Sequence, residues 1–150
     1  MGILKVLLLA TGLAVAAVAG VYMVSPPSFL RGAIAAERWV SGLKLKEAQI
    51  AGFRITYLDS EGAGEPLLLI HGFGGDKDNW TRIARHLRQH YRVIALDLPG
   101  YGDSDSPMDA AYGIVPQTER VHAFVQAIGL TRVHIGGNSM GGNIAAHYAI

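Results

Sequence analysis

Cysteine is absent from the 150 residues. That excludes a disulfide framework, a thiolate metal site and a cysteine nucleophile. An excess of either charge is also missing: 13 Lys and Arg stand against 12 Asp and Glu, for a net charge of +1. Nothing in that balance points to nucleic acid, whose binding faces carry clustered positive charge. Internal repeats and low-complexity segments are absent too. Histidines do not fall at ligand spacing on any glycine-rich loop. His86 and His90 stand four apart, but on the exposed end of an expected helix, so neither a metal nor another cofactor is implied.

Charge is missing altogether from one long stretch. Between Lys5 and Arg31 there is none, and from Val6 to Val24 the residues are apolar or small apart from Thr11 and Tyr22. About 20 such residues span a bilayer core as a helix. A buried core helix would carry a polar edge, and none exists here. Residues 1–24 are therefore expected to be a signal-anchor or transmembrane helix with Lys5 inside. Cleavage after Ala17-Val18-Ala19 is the alternative, giving a secreted product. The run continues through Val21-Tyr22-Met23-Val24, which favours the anchor. Either way the remainder is expected across the bacterial inner membrane, facing the periplasm. Residues 25–42 read as a linker, broken at Ser25-Pro26-Pro27-Ser28. A possible amphipathic helix follows from Phe29 to Val40, with Trp39 placed to rest at a membrane interface or to pack on the next domain.

Residues 43–150 read as an α/β domain. Leu43 to Leu58 gives two strands around Ala51-Gly52, and the alternation in Phe53-Arg54-Ile55-Thr56-Tyr57 fits a half-exposed strand. Leu67-Leu68-Leu69-Ile70 and Val93-Ile94-Ala95-Leu96 are apolar without alternation, as strands covered on both faces are. Trp80, Ile83, Ala84 and Leu87 form one helical stripe, with Arg82, Arg85 and Arg88 left to solvent. Val121, Phe124, Val125 and Ile128 form another, after Pro116 at a first helical position and before Gly129 as a stop. Thr131 to Ile135 is expected as the last strand. Continuous apolar strands alternating with amphipathic helices imply a mostly parallel sheet with helices on both faces.

Three loops then leave the ends of three parallel strands: His71–Gly75, Asp97–Ser104 and Gly137–Gly142. Ligands bind beyond those ends in open α/β sheets. Gly137-Asn138-Ser139-Met140-Gly141 is a G-x-S-x-G pentapeptide. Its serine belongs on a strained strand-to-helix turn, with Gly137 and Gly141 small enough to let strand and helix close up. A serine nucleophile makes an oxyanion, which needs donors. The Met140 N–H at a helix start and the Phe73 N–H from the first loop are the candidates.

Together, His71-Gly72-Phe73-Gly74-Gly75, Asp97-Leu98-Pro99-Gly100-Tyr101-Gly102-Asp103-Ser104 and Gly137-Asn138-Ser139-Met140-Gly141-Gly142 resemble the α/β-hydrolase superfamily. The resemblance covers about Leu43 to Ile150. Asp78-Asn79-Trp80 after the His-Gly-Phe loop makes it most similar to membrane-associated or secreted bacterial triacylglycerol lipases and esterases. It implies an α/β-hydrolase fold and an acyl ester or lipid substrate. Ser139 is then the catalytic nucleophile, Phe73 and Met140 the oxyanion hole, and His71, Gly72, Gly137, Asn138 and Gly141 the support. Meta-cleavage product hydrolases share Gly-Asn-Ser-Met-Gly-Gly, but they carry Gly-Pro-Gly after His-Gly, where this chain has Phe73-Gly74-Gly75. A non-catalytic, membrane-anchored scaffold is the rival from another class.

The family order is Ser, then Asp or Glu, then His, and 11 residues follow Ser139 here. The chain is therefore expected to be the N-terminal part of the fold, truncated after the elbow helix and nearly inactive alone. Of the histidines present, His134 is expected to be a buried strand residue, His147 to pack on its helix, and His86, His90 and His122 to lie on the surface. His71 and Asp97 are expected to hold loops in place.

Overall fold

A computed structural model describes residues 2–50 and 52–150. Ala51, at the centre of the expected first turn, lies outside the described residues. The elements are α1 (Ile3–Val24), α2 (Pro26–Val40), β1 (Lys44–Ile50), β2 (Phe53–Asp59) and β3 (Glu65–Ile70). A 3-10 turn (Lys77–Trp80), α3 (Thr81–Leu87), β4 (Tyr91–Leu96), α4 (Ile114–Ala127), β5 (His134–Gly137) and α5 (Met140–Tyr148) follow. The chain divides into two compact units, one ending at Glu37 and one running from Arg38 to Ile150.

In the first unit, α1 is long and apolar enough to cross a membrane, and none of its residues is buried. A helix suits that length because it satisfies its own backbone hydrogen bonds. The break before α2 is one residue, Ser25. Pro26 and Pro27 open α2, where a missing N–H costs nothing.

In the second unit the five strands run in the order β1-β2-β4-β3-β5. The β4–β3 and β3–β5 pairs are parallel, and β1–β2 and β2–β4 are antiparallel. The sheet is thus mixed in this chain. The parallel part is the one the apolar runs announced, and the hairpin β1–β2 extends it. Ile70 lies opposite Leu96 on one side and Gly137 on the other. The three parallel strands therefore end level and release their loops together.

The apolar runs lack alternation because both faces are covered. Ile55, Tyr57, Leu68, Ile70, Ile94 and Leu96 pack with Val121, Phe124 and Val125 of α4 and Ile144 of α5. Their neighbours Leu58, Leu69, Val93 and Ala95 point the other way, onto Leu43 and Ala84, with Trp80 and Leu87 alongside. Full burial of each large side chain contributes about 1.5–3 kcal/mol.

Several expectations need correction. β2 is not half-exposed: Ile55 to Asp59 are all buried. Even Thr56, on the expected outer side, is covered by the loop after β4, whose Ser104 Oγ accepts the Thr56 N–H at 2.8 Å. The last strand is His134–Gly137 rather than Thr131–Ile135, because only those residues find partners on β3, from Leu67 to Ile70. Pro66 falls inside β3, opposite Arg92, and is tolerated because the β5 pairing starts one residue later. Ile83 is 47% exposed and does not belong to the buried stripe of α3. Pro116 is the third residue of α4, still within the first turn, where amides lack helical acceptors. Gly129, at φ 75°, stops α4 as expected.

Candidate active site

The turn between β5 and α5 is built from excluded space. Ser139 has φ 52° and ψ −115°, a left-handed conformation that costs a non-glycine residue roughly 1–3 kcal/mol. Its neighbours explain how the turn is held there. A Cβ on Gly137 would lie 2.3 Å from the Gly141 carbonyl carbon and oxygen. A Cβ on Gly141 would lie 2.2 Å from the Ile70 carbonyl oxygen. Strand, turn and helix thus touch backbone to backbone. The Asn138 N–H donates to the Ile70 carbonyl at 3.1 Å and the Gly141 N–H to the Asn138 carbonyl at 2.8 Å. Ser139 is exposed.

The loop after β3 lies against this turn. A Cβ on Gly72 would meet the Asn138 carbonyl at 3.2 Å and the Ser139 Cβ at 3.5 Å. His71 is 1% exposed. Its Nε2 accepts the Leu98 N–H at 3.1 Å, so its proton sits on Nδ1, which donates to the Gly72 carbonyl at 2.8 Å. Both ring nitrogens are occupied, so His71 has none to spare for Ser139. Gly74 takes φ 71° and turns the loop outward, leaving the Phe73 ring 83% exposed. The Gly75 N–H closes the loop on the Gly72 carbonyl at 3.0 Å. Among the described residues, neither the Phe73 N–H nor the Met140 N–H donates to a protein acceptor, and no hydrogen bond reaches the Ser139 hydroxyl.

Tyr101, from the loop after β4, forms a wall. Its ring meets His71 edge-on at 5.1 Å and Phe73 at 6.1 Å, and its hydroxyl lies 3.6 Å from the Met140 sulfur. A small cavity of about 120 Å³ opens among His71, Gly72, Asn79, Trp80 and Asn138. The buried Trp80 indole N–H finds no acceptor among the described residues.

Below the loops lies an ionic cluster in which Lys77 and Asp97 are buried and Asp103 is exposed. Lys77 Nζ is 2.7 Å from both Asp97 Oδ2 and Asp103 Oδ2. Arg38 pairs with Asp78 through two hydrogen bonds of 2.6 Å. Burial alone would lower the Lys77 pKa, but hydrogen bonds to Asp103 and Asp97 outweigh it and raise it. The Lys77 hydrogen bond holds Asp103 below the usual carboxylate range. Asp97 performs the loop bonding expected of it. The burial of Lys77 is something the sequence reading misses. The one local signal is its place directly after Asp76, whose side chain caps the 3-10 turn.

The remaining histidines do not approach Ser139. His134 is exposed, not buried; it stands at the start of the edge strand, 2.7 Å from Glu65. His147 is exposed too and does not pack into the core. His122 is a surface residue stacked on Tyr148 at 3.9 Å, and His86 and His90 are exposed as expected. The structure thus brings together Ser139, Phe73, Met140, His71, Gly72, Gly137, Asn138 and Gly141 around one turn.

Level parallel strands, a serine at positive φ between two colliding glycines and a glycine-rich loop against it define a class, and the chain belongs to it. It is a member of the α/β-hydrolase fold family, whose profile matches residues 65–150. Over 116 residues it is 51% identical to Lipase 1 of Psychrobacter immobilis and 49% identical to Lipase 3 of Moraxella sp. (strain TA144). Each match covers 75% of this chain and 36% of the relative. The fold also matches the crystal structure of a membrane phospholipase A, described as a bacterial virulence factor, with a TM-score of 0.82 and 48% identity. That match covers 97% of this chain and 47% of the phospholipase. The chain therefore spans about a third of the length of the curated lipases it matches.

Proposed function

We propose that the chain carries the nucleophile and oxyanion hole of a membrane-anchored lipase or carboxylesterase. Ser139 attacks the ester carbonyl, the Phe73 and Met140 amides take the developing negative charge, the ester C–O bond breaks and the alcohol leaves, and water later hydrolyses the acyl-serine to the free acid. The positive end of α5 adds to the Met140 donor. Substrates are acyl esters or lipids, and the exposed Phe73 ring offers them an apolar contact. The helix α1 holds the domain at the membrane from which such substrates come, with Lys5 on the inner side and the domain facing the periplasm.

One observation carries this reading: an exposed serine in a strained turn, beside two backbone amides that donate to nothing among the described residues. Lipase relatives at about 50% identity support the same chemistry. Among the described residues no histidine hydrogen-bonds Ser139, and both ring nitrogens of His71 are engaged elsewhere.

A fluorophosphonate probe tests the reading on the product of the whole reading frame that encodes this chain. Labelling is expected, and Ser139→Ala should abolish it. A protein that is folded but unlabelled would leave the scaffold reading instead. Phe73→Ala keeps the amide and removes the ring, so KM for a long-chain ester should rise several-fold with kcat little changed. A kcat loss of about 10²-fold, the usual effect of removing an oxyanion donor, would mean that the ring matters to the chemical step.

A further inference from the structure

The loop that carries the Phe73 amide is tied at both ends to the loop leaving β4. At its start, His71 accepts the Leu98 N–H. At its far end, Lys77 reaches into the β4 loop with three bonds. Its backbone N–H donates to Asp97 Oδ1 at 2.7 Å, and its ammonium donates to Asp97 Oδ2 and Asp103 Oδ2, each at 2.7 Å. The Asp103 N–H returns to Asp97 Oδ2 at 2.8 Å. Lys77 is 1% exposed and Asp97 is fully buried. A Cβ on Gly102 would lie 2.2 Å from Asp97 Oδ2, so the β4 loop closes directly over the carboxylate.

Asp78 does not need this lysine, because Arg38 already grips it with two bonds. Burying an ammonium and a carboxylate costs more than filling the same space with apolar side chains. What the charges add is direction, since an ammonium held between two carboxylates fixes where its backbone sits. Here that backbone is four residues beyond Phe73, in a loop whose other end is pressed against the nucleophile turn, Gly72 on Ser139.

We propose that Lys77 is a positioning residue for the Phe73 amide: clamped between Asp97 and Asp103, it fixes the far end of the oxyanion loop to the β4 loop, while the near end rests on the Ser139 turn. Its catalytic consequence rests on Ser139 being the nucleophile, whereas its effect on the loop does not.

The test compares the parent with Lys77→Met and with Lys77→Met/Asp97→Asn. The single variant leaves a buried carboxylate without its cation and can fail to fold. In the double variant the pair is neutral, and the side-chain amide that replaces the Asp97 carboxylate keeps one oxygen for the backbone N–H of residue 77, while the Asp103 N–H loses its acceptor. The first readout is amide hydrogen exchange. The Gly75 and Asp76 amides are bonded within the loop, to the Gly72 carbonyl and to Asn79 Oδ1. They should exchange roughly tenfold faster in the folded double variant, while Asn138, bonded to Ile70, keeps its protection. The second readout is ester turnover by the whole reading-frame product: kcat should fall by about tenfold to a hundredfold with KM unchanged, approaching the loss of one oxyanion donor. A folded double variant with parental exchange at Gly75 and Asp76 overturns the proposal, and so does one with parental kcat in an active enzyme. If the parent shows no Ser139-dependent turnover, the hydrolase reading fails, and the exchange result alone decides whether Lys77 places the loop.

Discussion

The β5–α5 turn and the β1–β2 hairpin are held in opposite ways. At the turn, backbone rests on backbone, and glycines are required because nothing else fits. At the hairpin, a Cβ on Gly52 would meet nothing within 4 Å, and side-chain charges do the holding. Asp59 at the end of β2 is fully buried and gripped by Arg92 at 3.0 and 2.7 Å and by Lys46 at 3.2 Å. Lys44 and Lys46 reach Glu61 from the surface. A site fixed by excluded volume cannot drift, because each small displacement meets a hard wall. A hairpin fixed by charge answers to pH and tolerates added volume.

The same substitution should therefore behave differently in the two places. Gly137→Ala drives a methyl into the Gly141 carbonyl, and we expect a loss of more than about 3 kcal/mol, beyond the usual overpacking range, measured by urea unfolding. A milder loss would mean that the turn can relax, and that strain is not what presents Ser139. Next in size is Asp59→Asn, which leaves Arg92 and Lys46 without their shared carboxylate. Arg92 and Lys46 are 27% and 30% exposed, so the loss should fall below about 3 kcal/mol, the cost of breaking a fully buried pair.

Asp59 also gives the hairpin its acid sensitivity. Burial alone would raise its pKa, but hydrogen bonds from Arg92, the Glu61 amide and Lys46 outweigh it and hold the carboxyl below its ordinary value. Its contribution is fully present above the ordinary carboxylate pKa of about 4 and disappears as pH falls through the depressed folded value. The urea midpoint of the parent should drop across that window, and Asp59→Asn should flatten the drop. A parallel fall in both proteins would place the acid sensitivity elsewhere.

Gly52→Ala should cost only about 1 kcal/mol, because φ 85° penalises a side chain but open space receives it. Gly137 is not at positive φ, so the two substitutions set a pure contact penalty beside a pure backbone-angle penalty. Smallest of all, Lys44→Ala should leave the unfolding midpoint unchanged. Lys44 is 70% exposed in its pair with Glu61, and solvent screens such pairs.

Much of the site can be read along the chain because its parts are contiguous. Gly137 must avoid Gly141, four residues away, and that leaves its mark in a pentapeptide in which Ser139 and Met140 stand out, although Gly141 itself is held small by the distant Ile70 carbonyl. His71 and Asp97 are legible for a similar reason, since each ends an apolar strand and must bond the loop it begins. Lys77 is not legible. Its two carboxylates lie 20 and 26 residues further on, and a lysine beside a helix start ordinarily faces water. The exposure of His134 depends on which strand β5 joins and on β5 standing at the sheet edge, and neither is local information. β2 reads as half-exposed because its alternation records side-chain polarity, whereas its burial comes from a distant loop that returns to cover it.

By itself the sequence determined the apolar helix α1, the doubly covered strands and the serine turn, because those follow from periodicity and from steric limits within a few residues. Only the tertiary structure decided where the strands end level, which amides stay unengaged, and that a lysine lies buried beneath the site. Those depend on segments brought together across the sheet, and such contacts are fixed by packing rather than by neighbours in the chain.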